Sequence, residues 1–187
     1  MRKTVLTFGL IAGAVMSGLM LMALVFKDEI GFDRGEVVGY SSMVVAFLFV
    51  YFGVRAYRDN VAGGSISFGR ACAVGGLIAV VASLCYVATW EVMYYKLAPD
   101  YLEKYRDHVI AAARGEGASD AAIAEKTSQA NHIIELYKNP VFNAGFTFLE
   151  PLPVALIVVL VSAGVLSRRK SAGAVGMVEN RELSGAQ

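Results

Sequence analysis

VLTFGLIAGAVMSGLMLMALVF, residues 5–26, runs for 22 positions without a charged side chain. At 1.5 Å per helical residue it rises about 33 Å, enough to cross a hydrocarbon core of about 30 Å. Three further apolar blocks follow: Val37 to Val54, about Ala71 to Tyr95, and Val141 to Leu166. Core strands of a water-soluble fold are far shorter. The blocks predict an all-α membrane protein with four transmembrane helices. Composition agrees, because 56% of the 187 residues are apolar and 18% are charged, so the excess apolar surface must face lipid.

Arg2-Lys3 ahead of the first block has the charge order of a secretory signal. The apolar stretch is too long for one and no A-x-A site follows it, so it reads as a retained first span. Lys27 to Glu36 reads as a ten-residue loop that makes the first two spans antiparallel neighbours. Gly63-Gly64-Ser65 marks a turn, and Ser67 is placed to cap the third helix. The domain expected over 1–170 is a four-helix membrane unit that includes an insert at 96–140, followed by a disordered tail at 171–187.

The insert shows helical spacing twice, at Tyr101, Tyr105, Val109 and Ala112 and again at Ile123, Thr127, Ala130, Ile134 and Tyr137. Pro99 opens the first helix, Gly115-Glu116-Gly117 breaks the pair, Ser119 caps the second and Asn139-Pro140 ends it. An extracytoplasmic helical hairpin is the expectation. Its Glu103, Lys104, Asp107, Glu125 and Lys126 read as a solvated face of mixed sign.

Orientation follows from basic residues at the span ends, since cytoplasmic flanks retain positive charge during insertion. Arg2, Lys3, Arg55, Arg58, Arg70, Arg168, Arg169 and Lys170 fall on one side, eight against the four of Lys27, Arg34, Lys96 and Lys138 on the other. Both termini are therefore expected in the cytoplasm of a multi-pass protein. Tyr86, Trp90, Tyr94 and Tyr95 fit an interfacial aromatic belt at the outer end of the third span.

Gly9, Gly13 and Ser17 recur every four residues, and Ala71, Gly75, Ala79 and Ser83 repeat the pattern in the third span. Small residues at that spacing let helix backbones approach closely in lipid. Internal packing is the first reading of this stripe, and a dimer interface is the second.

Glu91 and Glu150 are the only acidic residues within the four blocks. Counted from the basic flank, they lie about 32 Å and about 26 Å along their helices, near the outer edge of the core. Tyr40, Ser41 and Ser42 of the second span belong to the same layer, as do Thr89, Asn143 and Thr147 by position. Two readings of the layer stand. One makes Glu150 an acidic helix cap beside Pro151 and Pro153, with Glu91 at the interface near Lys96. The other makes Glu91, Glu150, Tyr40 and Ser41 a polar or ion site.

Cys72 and Cys85 read as small buried hydrophobes, and 13 helical residues set their Cα atoms about 19 Å apart, beyond disulfide reach. His108 and His132 lack metal-ligand spacing and read as surface residues. No nucleophile elbow, phosphate loop or zinc-protease helix occurs, so neither an enzyme nor a cofactor or metal site is expected. A net charge of +1 gives no basic surface for nucleic acid. The expected partners are the bilayer and either another protein or a second copy of the chain.

The segment Phe146-Thr147-Phe148-Leu149-Glu150-Pro151-Leu152-Pro153, continuing through Ser162 to Arg168-Arg169-Lys170, resembles the last helix of the bacterial membrane family called domain of unknown function 4199. In that family an acidic residue precedes a proline and an apolar run with a late serine, here Glu150, Pro153 and Ser162. Ser65-Ile66-Ser67-Phe68-Gly69-Arg70-Ala71, with Gly75 after it, is similar too, while Pro151 directly after Glu150 departs from the pattern. The resemblance implies the four-span layout and a bacterial inner membrane, and no activity comes with it. A non-catalytic accessory or assembly component is the leading expectation. The alternative is a small ion or solute transporter that uses the outer carboxylate pair.

Overall fold

The computed structural model describes residues 1–167, so Arg168-Arg169-Lys170 and the expected tail at 171–187 lie outside the described residues. Within them the chain forms helices and no strand. The elements are α1 (Arg2–Val25), α2 (Lys27–Asn60), α3 (Phe68–Val92) with a π-helical continuation at Met93–Leu97, α4 (Tyr101–Gly115), α5 (Asp120–Tyr137), α6 (Pro140–Leu149) and α7 (Leu152–Leu166). Four stretches are long and apolar enough to cross a membrane: Arg2–Val25, Glu29–Asn60, Phe68–Leu97 and Pro140–Leu166.

The helix starts follow cap chemistry. Ser67 Oγ accepts from the Arg70 N–H at 3.4 Å and Ser119 Oγ from the Ala122 N–H at 3.3 Å. Asn139 Oδ1 takes the N–H of Val141 at 3.0 Å, with Pro140 in the first helical turn. Asn139-Pro140 follows directly on the end of α5, as expected, and at the same time opens α6. An Asn cap followed by a proline that needs no donor is a start signal as much as a stop.

Two expectations from sequence need correction. The loop expected at residues 27–36 is helical, and α2 runs for 34 residues, about 51 Å, well beyond a hydrocarbon core. Its Glu29, Asp33, Arg34 and Glu36 are exposed at that end, and the helix breaks only at Gly31, where φ is 69° and ψ is 162°. That backbone conformation belongs to glycine. The block expected as one helix from Val141 to Leu166 is two, because Pro151 and Pro153 lack the N–H groups that would continue the ladder through Glu150.

α3 is central, packed on α1, α2 and α7, and on α6 near its C-terminal end. Close approach comes from glycine. A Cβ built on Gly13 would lie 2.6 Å from the Cys85 Cβ, and one on Gly9 2.6 Å from the Val81 Cβ. Gly53 of α2 sits as tightly against Ile78 and Phe8, whereas Gly75 leaves 3.2 Å to Val50. Phe47, Val50, Val74 and Ile78 close the centre. α4 and α5 pack on each other, with the Arg106 guanidinium donating to Asn131 at 3.0 Å.

Candidate functional site

A polar seam joins α3 to α6 at the end of the bundle that carries the insert. Asn143, Thr147 and Glu150 recur at i, i+4 and i+7, which puts all three on one face of α6. Tyr86 and Trp90 present the answering face of α3. The Trp90 indole N–H donates to Asn143 Oδ1 at 2.8 Å, and the Tyr86 hydroxyl donates to Glu150 Oε2 at 3.0 Å. Thr147 Oγ1 adds a longer bond to Asn143 Oδ1 at 3.4 Å. Asn143 and Thr147 are buried, while Glu150, at the α6–α7 break, is exposed.

A second polar contact ties α1 to α3. The Thr89 and Ser17 hydroxyls lie 2.7 Å apart, and the Thr89 hydroxyl reaches the Cys85 carbonyl at 2.9 Å. Ser17 thus extends the Gly9 and Gly13 contact line with a hydrogen bond. Cys72 and Cys85 are both free thiols.

Glu150 does not cap α7: its own backbone is helical, the N-cap position belongs to Pro151, and its carboxylate is turned to Tyr86. Glu91 lies about 140° around α3 from Tyr86 at about 100° per residue. That puts it beside the exposed stripe of Leu77, Val80, Leu84 and Tyr95, although Glu91 itself is part-buried and one of its carboxylate oxygens is shielded from solvent. Its face is therefore not the one that meets Glu150. Glu91 Oε1, Asn143 Nδ2 and Ser83 Oγ are buried atoms without a hydrogen-bond partner among the described residues. Tyr40 and Ser41 are exposed on α2, and Ser42 Oγ folds back on the Val38 carbonyl at 2.7 Å.

The insert is seated on an aromatic cluster. Trp90 stacks on Tyr94 with ring centroids 6.0 Å apart and meets Tyr101 edge-on at 5.8 Å. Tyr137 of α5 contacts Tyr94 at 6.1 Å and Phe146 of α6 at 5.8 Å. Burial first, and the Glu150 charge second, push the Tyr137 hydroxyl up to about 12; burial raises Tyr101 as well. At the N-terminal end of α2, Phe32 touches Tyr101, Tyr105 and His108, and His108 Nε2 lies 2.8 Å from Asp33 Oδ1.

The partners of Asn143 and Glu150 escaped the sequence reading because Tyr86 and Trp90 looked like belt residues. Their i, i+4 spacing opposite the i, i+4, i+7 run on α6 was the available signal. His108 escaped for another reason: its partner is 75 residues away in a segment read as loop.

Fold and seam together define a bundle of four span-length helices whose third and fourth members are joined by hydrogen bonds, with a two-helix insert between them. The chain belongs to the family described as a protein of unknown function (DUF4199), whose family model matches residues 7–168. No curated protein and no solved structure matches it.

Proposed function

We propose that this chain is a non-catalytic, multi-pass accessory or assembly component of a bacterial inner membrane, with both termini cytoplasmic and the α4–α5 hairpin outside. The observation that supports it is the seating of the insert. Aromatic rings from α3, α5 and α6 hold it on the span ends, while Asp107, Arg114, Glu125 and Lys126 remain exposed on the insert. An anchored platform with mixed charge suits recognition of another protein, because charge complementarity gives register and specificity.

A photo-crosslinking residue placed at Arg114 or Lys126 in cells should give a discrete higher-mass adduct, absent when the same residue is placed at Val161 on the apolar face of α7. Recovery of only the uncrosslinked monomer from both insert positions, with the protein present in membranes, would overturn the assembly role.

A further inference from the structure

Of the two span carboxylates, Glu150 stands where a ligand can reach it. It is exposed at the α6–α7 break, and only its Oε2 is engaged, by Tyr86. Among the described residues no Lys, Arg or His forms an ion pair with it; the pairs present involve Asp33, Asp59, Asp100, Asp107 and Glu135. Phe146, one turn earlier and 49% exposed, flanks it and leans on Tyr137. On the other side the exposed Ile157 and Val161 continue along α7.

An unpaired carboxylate one helical turn from an exposed phenylalanine is complementary to an ammonium group, which gains charge attraction from the acid and cation–π attraction from the Phe146 ring. A ligand that also covers the α7 face needs a hydrocarbon chain. We infer that Glu150 and Phe146 receive the ammonium headgroup of an outer-leaflet diacyl lipid whose acyl chain lies along Ile157 and Val161. The inference rests on the membrane placement proposed above and not on the accessory role.

Trp90 is the only tryptophan of the chain and lies in the same seam, so its fluorescence reports lipid contact directly. The full-length protein is reconstituted in vesicles that carry bromine-labelled acyl chains on phosphatidylethanolamine, its N-acetylated derivative or phosphatidylglycerol. The ethanolamine lipid is expected to quench Trp90 with about tenfold preference over the other two. Glu150→Gln should remove the preference, and Glu91→Gln, on another face of α3, should retain it.

Equal quenching by all three lipids in the wild-type protein overturns the site and leaves the membrane reading intact. Absence of quenching by any of them overturns both. Free ethanolamine competing as well as the lipid, mole for mole, would show a soluble-amine site and overturn the lipid assignment. If Glu150→Gln does not fold, the N-acetylated lipid decides the matter with the wild-type chain.

Discussion

At Gly13 a single methyl group decides how closely α1 can lie on α3. A Cβ there would stand 2.6 Å from the Cys85 Cβ, whereas at Gly75 the nearest atom is 3.2 Å away on the Val50 side chain. Gly13→Ala is therefore expected to cost roughly 1–3 kcal/mol and Gly75→Ala under about 1 kcal/mol. Thermal unfolding in detergent checks the order, and equal losses would show that the α1–α3 contact is no tighter than the α2–α3 one. The small-residue spacing was visible in the sequence; which glycine is tightest was not, because that depends on the size of the side chain opposite. Tyr137 allows a second test at this scale. Its raised pKa means that the folded state binds the proton more tightly, so its contribution is full below about pH 10 and is lost as pH rises through about 12. Stability should fall more steeply with pH across that window in the wild-type chain than in Tyr137→Phe, as followed by hydrogen exchange of α5.

At the level of elements, α3 and α6 are held by two rungs, Trp90 to Asn143 and Tyr86 to Glu150. Removing the Tyr86 donor takes one hydrogen bond from a carboxylate that is exposed and can turn to water, so the cost is about 0.5–1.5 kcal/mol. Tyr86→Phe is expected to lower stability by about that amount. Glu150→Gln should cost less, because an amide still accepts the phenol hydrogen. Since Glu91 leaves α3 about 140° around from Tyr86 and shares no hydrogen-bond partner with Glu150, the effects of Glu91→Gln and Glu150→Gln should add within about 0.5 kcal/mol. Coupling beyond that in a double-mutant cycle would mean that the two carboxylates communicate. The four apolar stretches, the Ser67 and Ser119 caps and the paired insert helices were legible because period and cap chemistry are local signals. The helical course of residues 27–36 was not, since a charged, exposed helical stretch whose contacts lie far along the chain on α4 has the same composition as a loop. The α6–α7 break was half legible: Pro151 and Pro153 were seen as helix starters, but the helix they interrupt already ran from Pro140.

For the molecule as a whole, the side of the membrane on which the insert stands governs every proposed role of the platform and of Glu150. The span ends near Arg2, Lys3, Arg55, Arg58 and Arg70 are basic, and the opposite ends mix Lys27 and Arg34 with Glu29, Asp33 and Glu36. On the orientation proposed above, in which positive charge is retained inside, Gly117 in the turn between α4 and α5 is expected on the outer side. Gly117 has φ of 78°, and a Cβ added there would meet nothing within 4 Å, so a cysteine fits the space at the cost of some turn strain. Ala118, one residue on, is part-buried, and Glu116 is exposed with an ordinary helical backbone, which makes Glu116→Cys the unstrained companion variant. Both cysteines should react with a membrane-impermeant thiol reagent added to intact spheroplasts in a background where Cys72 and Cys85 are replaced by alanine. The same reagent should label Ser65→Cys, in the turn between α2 and α3, only after lysis. The reverse pattern would invert the bundle and move Glu150 to the cytoplasmic leaflet. Labelling of all three positions without lysis would mean that the four apolar helices do not form a sealed transmembrane unit.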